Sequence, residues 1–395
     1  MRLISALFGV VALAACSSHD STSPTTTRRT TTTRAASTTS SSPPVHTTAP
    51  STAGDQGNVP KYITRDCSRD VTGPLQVWIN RQPDGSLLAL GAHSCYQIDG
   101  TLFVREKHHV RIEGNGAVLK AYSLGDRNRG QLVLQGGSDI TVHNLVVRGA
   151  NPAAGANRSA YQPELEAQHA FSVSGATDIV LDDVQAYDVY GDFVYIGSGP
   201  RGEASRNVTV SNSQFSRSGR QGISVTNGVN VTIKGNKIGE VARSLFDIEP
   251  NDPAQQARSI HIIGNTTGAA VNFWLADKGA PASIGDIEIS GNHMTAATGG
   301  LFFVFVDSGA YRGPFLFENN DLIANNKVTD EGSKGAFFFT HAENITIRNN
   351  TVHFEGTMPA VELRDSHHVQ VAGNTFRGAA STILATDGSS DYHVT

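Results

Sequence analysis

A short phrase recurs through most of this chain: an apolar-polar-apolar strand, a small residue, then Asn or Asp. It reads VRIEGN, ITVHN, IVLDD, VTVSN, VTIKGN, IHIIGN, IEISGN, FLFENN, ITIRNN and VQVAGN. The phrases begin at residues 110, 140, 179, 208, 231, 260, 287, 315, 345 and 369, and most spacings fall between 23 and 30 residues. A period of that length marks a solenoid. The repeat is too short for a four-stranded blade and carries no amphipathic helix; β-branched residues alternate through it with period two. Three short strands separated by turns fit one coil of a right-handed parallel β-helix, with successive coils about 4.8 Å apart. The expected fold is all-β, a solenoid of about ten coils.

Asn212, Asn236, Asn265, Asn292, Asn350 and Asn374 are expected to line one bend, where Asn accepts left-handed geometry and hydrogen-bonds along the stack. Asn207, Asn230 and Asn344, in Asn-x-Ser/Thr triplets, read as turn residues too. Upstream, TGPLQVWINRQPDG places Pro74 early in a short helix with Leu75, Trp78 and Ile79 on one face, suited to closing the open end of the stack. The segments HSCYQIDGTLFV and HHVRIEGNGAVLKA that follow resemble the first coils of the pectate-lyase-like β-helix superfamily, which includes polygalacturonases, pectate lyases and alginate epimerases. The resemblance covers residues 60 to 395 and implies the fold.

The start of the chain is different. MRLISALFGVVALAACSS has one basic residue, an apolar run too short to span a bilayer, and small residues before Cys16. Leu13-Ala14-Ala15-Cys16 resembles the lipobox of bacterial lipoproteins, which implies removal of residues 1–15 and lipid attachment at Cys16. Residues 16–58, mostly Ser, Thr and Pro, are expected to be a disordered tether, and residues 59–395 the β-helix domain. The expected location is outside the cytoplasm, lipid-anchored to the bacterial membrane and facing the exterior or periplasm. Cys67 and Cys95 lie early in the folded part of an exported chain and are expected to pair. The net charge of −5 is spread without a basic stripe, so nucleic acid is not an expected partner, and no Cys/His cluster indicates a metal site. A monomer is expected.

Each coil ends in a third strand: HAFSVS, DFVYIG, QGISVT, LFDIEP, NFWLAD, FVFVDS, FFFTHA and AVELRD. Aligned on their apolar pairs, these put Ser172, Tyr195, Ser224, Asp247, Trp274, Phe305 and Glu362 in one outward column, and Ser174, Gly197, Thr226 and Glu249 in the next. An upstream column holds His169, Asp192, Gln221 and Ser244, with Arg220 and Arg243 beyond it. Long loops after these strands, and the insertion NPAAGANRSAYQPELEAQ before His169, are expected to wall a groove.

Asp247 and Glu249, at i and i+2 on one face, have backbones roughly 6.5 to 7 Å apart, which suits an inverting acid/base pair better than a retaining one. Asp252 and Asp192 are the reserve carboxylates. His169, Tyr195, Arg220, Gln221, Arg243 and Trp274 are the candidate substrate-binding residues. The favoured function is a surface-anchored polysaccharide-active enzyme, a glycoside hydrolase with no cofactor, acting on a polysaccharide or envelope glycan. The superfamily resemblance does not extend to the adjacent Asp-Asp and Gly-His-Gly of polygalacturonases. Two alternatives stand: a uronate lyase or C5-epimerase, with Ca²⁺ held by the acids, and a non-catalytic glycan-binding or adhesin lipoprotein.

Overall fold

The computed structural model describes residues 57–268, 270–276, 283–296, 302–305, 311–325, 335–355 and 359–395. The leader, Cys16 and nearly all of the tether lie outside them. The domain opens with a strand, Asp66–Asp70, whose Cys67 is bonded to Cys95, as expected. A helix follows at Thr72–Arg81, with Pro74 in its first turn, where a missing N–H leaves no intrahelical bond unmade. Its buried face is Leu75, Trp78 and Ile79, which close over Leu88, Leu102 and Leu119 at the end of the solenoid core. This is the capping helix the sequence predicts.

From Leu87–Ala89 to Ile383–Thr386 the chain winds in coils of three strands, and every described pairing is parallel, between the same strand of neighbouring coils. Ser205–Ser211, Gln214–Ser218 and Ile223–Val225 make one coil. In the next, Gly228–Lys234 leads into Lys237–Ile248, where the second and third strands run together. The period-two alternation turns Val208, Val210, Val231, Ile233, Ile260 and Ile262 into a core from which water is excluded. Fully burying each such side chain contributes about 1.5–3 kcal/mol, so coils are held mainly by stacking their neighbours. No helix among the described residues is long and apolar enough to cross a membrane.

The Asn-lined bend forms with two corrections. Asn236, Asn265, Asn292, Asn320, Asn350 and Asn374 form the ladder, each but the last donating from its backbone N–H and Nδ2 to the next Oδ1 at 2.8–3.0 Å. Asn320 belongs to it and Asn212 does not: Ser213 takes the ladder position, and Asn212 donates outside to Asp182. The left-handed residue is the one before each ladder amide, among them Gly235, Gly264, Gly291, Asn319, Asn349 and Gly373. The ladder Asn itself keeps ordinary geometry, which aims its amide inward along the stack. Asn207, Asn230 and Asn344 have positive φ, as turn residues do.

Candidate functional site

The third strands align as the apolar pairs require. Phe171, Val194, Ile223 and Phe246 stack in one inward column, and Val173, Ile196, Val225 and Ile248 in the next. Between them Ser172, Tyr195, Ser224 and Asp247 follow one another on the outer face. The upstream column is visible in its bonds: the Asp192 N–H donates to His169 Nδ1 at 2.9 Å and the Ser244 N–H to Gln221 Oε1 at 2.7 Å. Beyond Asp247 the expected register fails. An irregularity between Val241 and Ser244 sets Trp274 beside Phe246, and it is Leu275 that pairs with Asp247. Ala276 pairs with Val304, and Phe305 with Thr340 and then Arg364, so neither Trp274 nor Phe305 continues the Asp247 column.

Asp192 is fully buried and fully partnered. Arg220 Nη1 donates to both its oxygens, at 3.0 and 2.7 Å, the Gln221 N–H to Oδ1 at 3.1 Å, and Ser224 Oγ to Oδ2 at 2.7 Å. Burial pushes its pKa up, but the Arg220 charge and these donors outweigh burial and hold it below the usual carboxylate range. Asp192 is thus a permanent anion matched to a permanent cation. Arg220 reaches Glu166 as well, Nε to Oε2 at 3.3 Å, and Glu166 accepts from the Tyr161 hydroxyl at 2.6 Å. Arg243 lies over the Tyr161 ring, 4.9 Å from its centroid.

Asp247 is the reverse case. It is equally buried, yet neither carboxyl oxygen has a hydrogen-bond partner. The hydroxyl beside it in the column, Ser224, is turned to Asp192. Burial first, then the nearby Glu249 charge, push the Asp247 pKa up to about 8, against the weaker pull of Arg220 and Arg243. At neutral pH it keeps its proton. Gln221 shows a second orphan: its Oε1 is used, but its buried Nε2 has no hydrogen-bond partner.

Above these groups lies a cleft of about 520 Å³, lined by Glu166, His169, Tyr195, Arg220, Thr226 and Glu249 among others. The His169 and Tyr195 rings stack with centroids 4.6 Å apart and planes 8° from parallel. Thr226 Oγ1 donates to the Tyr195 hydroxyl at 2.8 Å. One wall is the long insertion, pinned by the short 3-10 turns Arg158–Ala160 and Pro163–Leu165. The other includes the loop after Glu249, tied down by Gln255 Nε2 donating to Ser198 Oγ at 3.1 Å.

Of the expected site residues, His169, Tyr195, Arg220 and Glu249 line the cleft, with Asp192 and Asp247 beneath it. Asp252 is not brought there: it is exposed, and its Oδ1 accepts from the Ala254 N–H at 2.9 Å, shaping its own turn. Arg243 and Gln221 are not among the residues that line it. Glu166 and Tyr161 were not legible as site residues, because an insertion has no repeat register to place them; the acid-rich ELEAQ just ahead of His169 was the only signal. No group of three or more His, Cys, Asp or Glu among the described residues is placed to hold a metal.

Solved structures share this fold at low identity. The mannuronan C-5 epimerase A-module of Azotobacter vinelandii aligns with a TM-score of 0.59 and 14% identity, over 86% of this chain and 99% of that one. The endo-xylogalacturonan hydrolase of Aspergillus tubingensis gives 0.53 and 14%, over 82% and 97%. A surface adhesin of Streptococcus pneumoniae gives 0.54 and 12%, over 84% and 93%. At these identities the likeness shows the fold alone, and its members include enzymes and a binding protein. No curated protein sequence matches the chain. The family model "Right handed beta helix region" matches residues 85–395, and the chain belongs to that family.

Proposed function

We propose that the protein is a glycoside hydrolase acting on a polysaccharide laid in the cleft, with Asp247 as general acid and Glu249 as general base. The observation that carries this is the Asp247 carboxyl, buried without a partner beside a second acid on the cleft wall and so protonated at neutral pH. A carboxylic acid in that state has a proton to give to a glycosidic oxygen as the bond to the anomeric carbon breaks. Glu249 takes a proton from the water that attacks that carbon, and solvent returns the pair to its starting state. The Asp247 carboxyl is covered in the free protein, so the proton is delivered once the sugar displaces the side chains above it. The solved relatives named above act on glycans or sit at a cell surface, which agrees with this class of partner.

The protein is proposed to work outside the cytoplasm, held to the membrane by lipid on Cys16 through the Ser/Thr/Pro tether; the Cys67–Cys95 bond suits an oxidising compartment. Cys16→Ser should move it from the membrane fraction to the soluble one.

The test is a panel of neutral and acidic polysaccharides with product analysis by mass. Hydrolysis gives new reducing ends whose masses include the added water. Unsaturated products lighter by one water, or conversion of sugar stereochemistry without chain cleavage, would sink the hydrolase in favour of a lyase or epimerase.

A further inference from the structure

We infer that the cleft takes an uncharged sugar, held by hydrogen bonds from the Nε2–H of a neutral His169 and from the hydroxyl of Tyr195. The inference rests on the proposal that this cleft binds glycan, and it adds which chemical class of glycan.

Charge comes first. Among the described residues the charged groups lining the cleft are Glu166, Arg220 and Glu249. Arg220, the cation of the three, already holds both oxygens of Asp192 and one of Glu166. A uronate carboxylate entering here would meet two acids on the walls and the Asp192 anion beneath. Its approach to Arg220 would have to compete with bonds already made. An uncharged sugar meets no such opposition.

The donors point the same way. A backbone N–H can only donate, so the 2.9 Å bond from the Asp192 N–H requires a lone pair on His169 Nδ1. The ring proton is therefore on Nε2, the remaining nitrogen of a ring that lines the cleft. The 3.5 Å approach of Nδ1 to Asp192 Oδ2 then joins a lone pair to a carboxylate and is not an ion pair. Protonating Nδ1 would set two N–H groups against each other. The titratable and charged groups facing the ring are Asp192, Arg220, Glu166 and Tyr195, and burial outweighs the favourable anions, holding His169 down at about 4. Tyr195 accepts from Thr226, which leaves its own O–H to donate, and burial pushes its pKa up and keeps that proton in place. Two neutral donors on parallel rings thus stand side by side, with directions fixed by bonds made behind them. Hydroxyl and ring oxygens of a neutral sugar are the acceptors they suit.

The test uses the full protein with ¹⁵N in its histidine rings and, as probes, neutral polysaccharide fragments before and after oxidation of their C6 hydroxyls to carboxylates. At pH 7 the His169 spectrum should show a bare Nδ1 and a protonated Nε2. Calorimetric titration should show the neutral form binding roughly tenfold or more tighter than its oxidised counterpart. His169→Gln, which keeps an N–H donor, should retain more of that binding than His169→Phe, which keeps only the stacked ring. A proton on Nδ1, or tighter binding of the oxidised form, overturns the inference and leaves the hydrolase proposal standing. If no fragment of either form binds, the glycan reading of the cleft fails together with it.

Discussion

The solenoid carries two kinds of buried polar column, and they are built on opposite terms. At the Asn-lined bend the buried amide is answered from its own coil and from both neighbours: Asn292 is 1% exposed, donates to Ile262 O, Ser290 O and Asn320 Oδ1, and accepts twice from Asn265. On the third-strand face, Asp247 is just as inaccessible and has no partner at all. A repeat satisfies a buried group by repeating it. An acid that occurs once in its column has no copy of itself to bond, so it must find a cation, as Asp192 does, or keep its proton. Burial alone does not make a perturbed acid; burial without a partner does.

The contrast can be broken most directly in activity. Asp247→Asn removes the proton donor while conserving size, and kcat/KM on the polysaccharide that the screen identifies should fall by about 10²–10⁴ with the circular-dichroism spectrum intact. A loss under tenfold would return Asp247 to the status of a buried oddity. In stability the largest effect should come from Arg220→Met, which strands the Asp192 charge and should cost about 3–5 kcal/mol in urea unfolding. Asn292→Ala, which orphans donors in the neighbouring coil, should cost about 3 kcal/mol. Asn212→Ala, one position outside the ladder of its own coil, should change stability by about 0.5 kcal/mol or less.

The subtlest difference is one of sign. The folded Asp247 pKa of about 8 stands above its usual 3.8, so across that interval the folded chain keeps a proton the unfolded chain has released. Its contribution is therefore full below about 4, declines as pH rises toward 8, and at steepest falls by about 1.4 kcal/mol per pH unit. Asp192, held below its usual value, contributes fully above that value and is lost only in stronger acid. Urea midpoints for the protein and Asp247→Asn at pH 5 and pH 8 isolate the Asp247 slope; parallel changes in the two would refute it.

How much of this was legible in the sequence follows from what repeats. Period-two alternation and the coil spacing were enough to stack Tyr195, Ser224 and Asp247 in one column and His169, Asp192 and Gln221 in another. The same logic misplaced Trp274, because the irregularity between Val241 and Ser244 moves the next strand by one residue, and a one-residue slip exchanges neighbours throughout. It also gave Asn212 the ladder position of Ser213, since the phrase VTVSN is one residue shorter than VTIKGN and ends on the left-handed residue, the counterpart of Gly235, one short of the ladder. The covering of Asp247 and the role of Glu166 were beyond reach, as both depend on loops and an insertion that share no period with the coils.

Because each strand pairs only with its counterpart one coil away, the partners at the site are separated in sequence by about a coil: Arg220 lies 28 residues from Asp192, Ser224 32, and His169 23. Excising the coil of residues 205–227 would let the stack rejoin, strand to strand, with its core unbroken. It would also carry away Arg220 and Ser224 and leave Asp192 a naked charge in the interior. Growth or loss of length by whole repeats, the change a solenoid accepts most easily, is thus closed to this stretch of the chain, while the coils beyond it remain open to it.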